Sequence, residues 1–548
     1  MPYQRLRWIS NPIANDVCPP PYPSNTQGVP PAFHPPRAMQ PSPTVSTETR
    51  TAGLASDPLA MGVAFALVLT VVQRGIGFIR GMLFCRLMPA EELGQWSVVW
   101  SSLMLLAPLA ALGLPGSFCR YAEHYLQRGQ LRPYISRIGT LASATTLLLA
   151  GVMTVLPQLF SMIIFREPNH ESLVRVMAGV FVLVALFNAV QSLMESLRQV
   201  RVVTMMRFIS GIVFAVAAVG LLLVWENGTL AVIIGFGISC FVGLIPAALF
   251  FVRTKEFIRD SNAPLSHASM WGKIVPFAAW IWVANFLNNS CDSIDRFLLL
   301  HLLPGDSSLA QSHLGQYHSS LIIPQLLVGV AVVISGTLLP YLSAAWERKE
   351  YPEARRLLRW TLKTTALGFL TVDLLILLAA PLLFNVALQG KYADGLAIMP
   401  LTMVYSFWFC MITCAQNALW CNERMRWVVL ALGIGLIANI GLNSICIPLW
   451  GLHGTALATA LANAICLATM LLILRREGWL VDRGTWLACG LPVIMTLGPI
   501  AAFAAWLLIV FGAWRSDWIF DAEEKQLLGE KADRLLARVR ARMPGFSA

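Results

Sequence analysis

Leu93-Gly94-Gln95-Trp96 opens one long apolar stretch, and Leu314-Gly315-Gln316-Tyr317 opens another 221 residues later. The match does not stand alone. Arg80 and Pro89 precede the first tetrapeptide as Arg296 and Pro304 precede the second. Tyr121 and Arg128 follow the first, and Tyr341 and Arg348 the second, both pairs seven residues apart. One tetrapeptide could recur by chance, but a series that keeps its order and nearly its offset is the mark of an internal repeat.

Outward from these two points the chain is a succession of apolar segments. They run approximately 59–80, 94–118, 138–157, 173–194, 203–225, 229–252, 274–300, 314–341, 361–388, 396–419, 427–449, 452–474 and 486–514. At about 1.5 Å per residue, each can cross a hydrocarbon layer of about 30 Å as a helix. Helices are required because backbone groups in lipid must be satisfied within the segment, and the alternation of a barrel strand is missing. Of the 548 residues, 57% are hydrophobic and 13% charged, against about 25% charged in soluble proteins. That excludes a soluble enzyme.

The net charge of +11 does not point to nucleic acid, because Lys and Arg are spread through the gaps between segments, with no basic block interleaved with aromatics. They gather in the gaps after segments 2, 4, 6, 8, 10 and 12, whereas the alternate gaps hold only Arg86, Arg166 and Lys391. By the positive-inside rule the basic gaps and the amino terminus are cytoplasmic. Residues 1–57 hold 12 of the 32 prolines and no apolar run, so they are expected to be a disordered cytoplasmic tail rather than a signal peptide. The 11 cysteines fall mostly inside apolar segments with no metal-ligand spacing, and are read as small buried hydrophobes.

Six segments separate the repeat equivalents, so both halves cross the membrane in the same direction. The expected fold is an all-α polytopic membrane protein of 12 core helices in two parallel-repeat lobes, 58–253 and 274–474. A cytoplasmic linker, 254–273, joins them, and 475–548 adds one more hydrophobic segment and a charged tail. A simple crossing by segment 13 would put the Arg-containing end outside. Gly490, Pro492, Gly498 and Pro499 equally permit a bent or re-entrant path, and both remain open.

Polar residues inside such segments are costly against lipid and so should line a cavity or another helix. Segment 7 carries Asn285, Asn288, Asn289, Asp292, Asp295 and Arg296 on one helical face. They read either as a cavity wall or as interhelical hydrogen bonds, with Asp295 and Arg296 near the outer interface. Segment 1 carries Gln73, Arg74, Gly77, Arg80 and Gly81, with Gln73, Gly77 and Arg80 sharing a face. Arg74 suits a phosphate through its bidentate fork, or pairs with an acid such as Asp292. Asp292, Asp295 and the deeply placed Asp373 are candidates for coupling to an ion, H+ or Na+. Asn188, Gln191, Gln416, Asn417, Asn439 and Asn443 read as helix-packing contacts. No phosphate loop, metalloprotease helix or nucleophile elbow occurs, so no catalytic residue, metal or cofactor is assigned.

Arg74-Gly75-Ile76-Gly77-Phe78, Glu92-Leu93-Gly94-Gln95-Trp96, Leu112-Gly113-Leu114-Pro115-Gly116-Ser117 and Arg120-Tyr121 together resemble the polysaccharide-transporter branch of the MOP flippase superfamily. In topology the resemblance covers about residues 58–474. It implies a non-enzymatic flippase of the bacterial inner membrane, moving a polyprenyl-diphosphate-linked oligosaccharide for O-antigen, capsule or exopolysaccharide assembly beside other assembly proteins and membrane lipids. The diphosphate would take Arg74, Arg80 and Arg296, and the sugars Gln73 and the asparagine row. A multidrug exporter of the same superfamily is the alternative, and it would favour an acidic pocket.

Overall fold

The computed structural model describes residues 59–526 apart from 226, 261–262, 480, 517 and 522–523, so the proline-rich tail lies outside the described residues. Among the described residues the regular structure is entirely helical. Ten helices are long and apolar enough to cross a membrane, and the chain is an all-α multi-pass membrane protein.

After α1 (Leu59–Leu87), these ten begin with α2 (Ala90–Ala110), α3 (Leu131–Val155), α4 (Glu171–Ser196), α5 (Val200–Leu222) and α6 (the span Gly228–Thr254). They continue with α7 (His267–Leu302), α8 (Ser307–Glu347), α9 (Tyr351–Leu382) and α10 (Ala393–Cys421). Met425–Arg476 is one run of helix turned at Gly451, whose φ of 54° and ψ of −124° are non-helical. It therefore contains two expected segments, α11 (425–450) and α12 (452–476). Asn439 on α11 donates to Thr459 on α12 at 3.4 Å, confirming that the two lie side by side. The expected twelve plus one is thus not the number of separate long helices, since a tight turn merges two and, as below, the last segment is itself folded.

The connections alternate between two faces. At the Pro89 face, Lys391 donates to the Arg86 carbonyl at 2.9 Å, Arg166 to the Leu303 carbonyl at 3.0 Å and the Gly228 amide to Glu92 at 3.0 Å. At the Gly129 face, the Ala263 amide donates to the Gly129 carbonyl at 2.8 Å, Gln130 to the Pro264 carbonyl at 2.6 Å and Arg137 to the Leu265 carbonyl at 2.8 Å.

The repeated tetrapeptides meet in space. Both α2 and α8 begin at the Pro89 face, and their backbones cross so closely that a Cβ on Gly94 would strike the Gln311 carbonyl and one on Gly315 the Ala90 carbonyl. The contacts are reciprocal: 94 meets 311, and 315 meets 90, the equivalents 221 residues apart. Reciprocity of this kind is what a two-fold relation between equivalent helices produces. Gln95 donates to Gln311 at 2.8 Å beside the crossing. At its other end α2 ends in a left-handed Gly113 and packs on α7, where Trp282 Nε1 donates to the Leu109 carbonyl at 3.4 Å.

The last apolar segment is a hairpin. It descends as α13 (Arg483–Gly490) and a 3-10 turn (Leu491–Leu497), reverses at Gly498 with φ 93°, and returns as α14 (Pro499–Arg515). Its ends touch, because a Cβ on Gly484 would strike the Ile519 carbonyl. The re-entrant alternative holds, and both ends lie at the Gly129 face. Lys363 of α9, with 0% of its side chain exposed, ties the two ends together: its Nζ lies 2.6 Å from Asp482 and 2.8 Å from Glu524. Burial raises the Asp482 carboxyl, but hydrogen bonds from Lys363 and Thr485 outweigh it and hold it below the usual range. A depressed carboxylate stabilises the fold above its unfolded value and loses that contribution as pH falls through the folded one.

Two outcomes follow. Gly94→Ala and Gly315→Ala should each lose about 1–3 kcal/mol by overpacking, whereas Gly139→Ala and Gly179→Ala, where a Cβ meets nothing within 4 Å, should not. Equal melting temperatures for all four would contradict the crossing. Single cysteines at Arg483 and Trp518 should react with an impermeant thiol reagent from one and the same side of the membrane, and opposite sides would rule out the hairpin.

Candidate functional site

The polar residues of α7 separate into two groups by depth. Asp295 and Arg296 lie about 10 Å from the Leu302 end of their helix at about 1.5 Å per residue. Both are buried within the protein, only 1% and 2% exposed. The Arg296 guanidinium donates to the Asp292 carbonyl at 2.5 Å and to Ser101 of α2 at 3.4 Å. Asp295 accepts from the hydroxyl of Tyr317, the last residue of the second tetrapeptide, and Asp292 accepts from Tyr405 of α10 at 3.2 Å. His318 shares a 3.1 Å hydrogen bond with Ser97 and sits near enough to feel both Arg296 and Arg80. The network therefore spans α2, α7, α8 and α10, with the carboxylates of Asp292 and Asp295 held by Tyr405 and Tyr317 near the guanidinium.

Asn285, Asn288 and Asn289 lie about 20–25 Å from the Leu302 end. Asn285 and Asn288 are exposed and Asn289 half-buried. They do not join the buried network, nor do they act as interhelical hydrogen-bonding residues among the described residues.

On α1 the two arginines behave differently. Arg80 lies about 10 Å from the Leu87 end, its guanidinium 4.1 Å from the Phe214 ring centroid and 6.0 Å from that of Phe84. Arg74 lies about 20 Å from that end, level with Asn288 and Asn289, and is exposed. It packs against Gly329 of α8, so α1 and α8 approach at this depth. Arg74 does not pair with Asp292. Neither Arg74 nor Arg80 forms an ion pair among the described residues. Gln73 points toward Gly211 of α5, beside a cavity of about 250 Å³.

Asp373 is 1% exposed, and neither carboxylate oxygen has a hydrogen-bond partner among the described residues. It lies in α9 close to Cys410 and apart from the other acids. Asn417 donates to Ser335 at 2.8 Å and Asn443 to Asn439 at 3.0 Å, contacts between and within helices of the packing kind. Among the described residues no cluster of three or more metal-ligating side chains occurs. Sequence reading missed Tyr405, Ser101 and His318, whose residue types are unremarkable on apolar helices. It also passed over Arg207 and Lys363, charges inside segments 5 and 9 that were visible as such.

The fold is that of membrane transporters. Superposition on a structure titled lipid II flippase MurJ, inward closed conformation, gives a TM-score of 0.62 at 13% identity, covering 82% of this chain and 99% of that one. An inward-facing multidrug resistance MATE family transporter of the MOP superfamily gives 0.56 at 14%, covering 75% and 97%. In sequence, the uncharacterized membrane protein YabM of Bacillus subtilis (strain 168) is 25% identical over 245 residues, 44% of this chain. That match spans about half of YabM, 46% of its length. The fold is thus one shared with these multi-pass membrane transporters. Residues 59–346 match the family described as polysaccharide biosynthesis protein, and the chain belongs to that family.

Removing Arg296 leaves Asp292 and Asp295 without their cation, so Arg296→Ala should lower stability by about 3–5 kcal/mol. Arg80→Ala loses a ring contact worth about 1 kcal/mol. Comparable melting temperatures for the two variants would contradict the network.

Proposed function

We propose that the chain is a flippase carrying a polyprenyl-diphosphate-linked oligosaccharide across the bacterial inner membrane for cell-surface polysaccharide assembly. The lobes are 58–253 and 274–474, joined by the linker 254–273, with 475–548 appended. They rock against one another, closing and parting at the α2–α8 crossing, and open the space between them alternately to each side. The basic gaps put the Gly129 face and the amino terminus in the cytoplasm, so the Pro89 face, where α2 and α8 touch, is periplasmic.

The single observation that carries this reading is Arg74, a guanidinium about 20 Å inside a spanning helix with no acid paired to it. A charge held at such depth needs an anion to satisfy it, and a diphosphate offers a bidentate one. Arg80 extends the cationic path toward the periplasmic face, and Arg296 anchors its end through the buried network. Gln73, Asn285, Asn288 and Asn289 supply uncharged donors and acceptors for sugar hydroxyls. The lipid tail stays in the bilayer.

Asp292, Asp295 and Asp373 are the coupling candidates for H+ or Na+. Asp373, buried without a hydrogen bond, can lose its proton only when water or a cation reaches it. A cation-exporting reading draws on the same three acids, but Arg74 and Arg80 at the α1 face repel a cationic drug.

Deleting the protein should make lipid-linked oligosaccharide accumulate in the cytoplasmic leaflet. The intact chain should restore transport and Arg74→Ala should not, by at least tenfold for a charge-assisted contact. No accumulation, with altered drug sensitivity instead, would transfer the chain to the exporters.

A further inference from the structure

The cavity of about 250 Å³ between α1, α4 and α5 is lined by Thr70, Gln73, Glu195, Thr204 and Arg207. Arg207 Nη2 lies 2.5 Å from Glu195 Oε1, and the two side chains are 48% and 38% exposed. The pair is therefore open to the cavity rather than sealed between helices.

Its position relates it to the cationic site. Arg207 is about 22 Å from the Leu222 end of α5, and Arg74 about 20 Å from the Leu87 end of α1. Helices α1 and α5 pack together, and the two guanidiniums are close enough to repel each other. Two cations thus share one level of the membrane, and Glu195 pairs with Arg207 alone. A partly exposed ion pair is a weak tie. Two phosphate groups would satisfy both guanidiniums in the bidentate geometry that arginine favours. Gln191, which donates to Glu195 at 3.2 Å, keeps a hydrogen bond for the carboxylate once Arg207 swings away.

We propose that Arg207 is the second arm of the diphosphate site, occupied by Glu195 while the site is empty and released to the phosphates of the arriving headgroup. The proposal rests on the diphosphate-lipid reading of the function. Glu195 acts as a built-in competitor: it lowers affinity for the headgroup and, by retaking Arg207, assists release. Removing the competitor and removing the arm then have opposite effects. A salt bridge that merely joins α4 to α5 would make both substitutions act alike.

The test measures binding of polyprenyl diphosphate to the purified full chain in mixed micelles. Polyprenyl monophosphate and inorganic pyrophosphate serve as comparators, and a melting curve is recorded for each variant. Glu195→Gln should tighten diphosphate binding several-fold and slow flipping at saturating lipid. Arg207→Gln should weaken binding about tenfold, as loss of one charge-assisted contact does. Arg207→Lys, which keeps the charge but not the fork, should fall between, and it serves if Arg207→Gln fails to fold. Pyrophosphate should show the same opposite shifts at lower affinity, and the monophosphate smaller ones. If intact protein binds diphosphate in preference to monophosphate but both substitutions shift affinity the same way, or neither shifts it, the Arg207 assignment is overturned alone. If intact protein shows no preference for diphosphate, the functional reading falls and this proposal with it.

Discussion

The crossing of α2 and α8 leaves no room for a side chain on either helix. Gly94 lies on the Gln311 carbonyl and Gly315 on the Ala90 carbonyl, so each glycine holds the other's helix at backbone distance. Small residues that let backbones approach are a principal means of joining helices where lipid offers no hydrophobic drive. Everything on the Pro89 face is arranged around that contact. Gln95 bridges to Gln311 and to Thr229 at 3.0 Å, and Tyr317, three residues past Leu314, reaches Asp295 on α7. The repeat is therefore more than a record of duplication: its two copies hold each other at backbone distance.

Below the crossing, charges fall into matched and unmatched sets, and the distinction carries the chemistry. Lys363 is buried and paired with Asp482 and Glu524, and Arg296 is buried, hydrogen-bonded to the Asp292 carbonyl and to Ser101, with the Asp292 and Asp295 carboxylates nearby. Such groups fix helices against one another, and breaking them exposes a stranded charge. Arg74 and Arg80 are unmatched among the described residues, as is the carboxyl of Asp373. Unmatched charges inside membrane helices are retained only where something transient satisfies them.

Much of this was legible in the sequence. Apolar length and the offset of the two tetrapeptides determined an all-helical membrane fold with an internal repeat, because helix formation in lipid depends on composition and little else. The path of 486–514 was not legible. Gly498 and Pro499 permit a reversal, but the contacts that enforce it, Gly484 with Ile519 and Lys363 with Glu524, join residues far apart in the chain. The site was legible in residue type and only partly in arrangement. Helical spacing put Asn285 through Arg296 on one stripe, yet their surroundings divide them into exposed asparagines and a buried ion network. Tyr405 and Ser101 complete that network from other helices, and no local pattern marks such partners.

In the proposed mechanism the α2–α8 crossing closes the Pro89 face and parts during transport. Spin labels at Leu87→Cys, where α1 leads into α2, and at Leu309→Cys near the start of α8, both exposed positions, report the separation of the two lobes at the crossing in liposomes by double electron–electron resonance. The account predicts that adding polyprenyl-diphosphate-linked oligosaccharide produces a second, longer distance, and that Arg74→Ala abolishes it. A single unchanged distance while the lipid is being flipped would contradict the account.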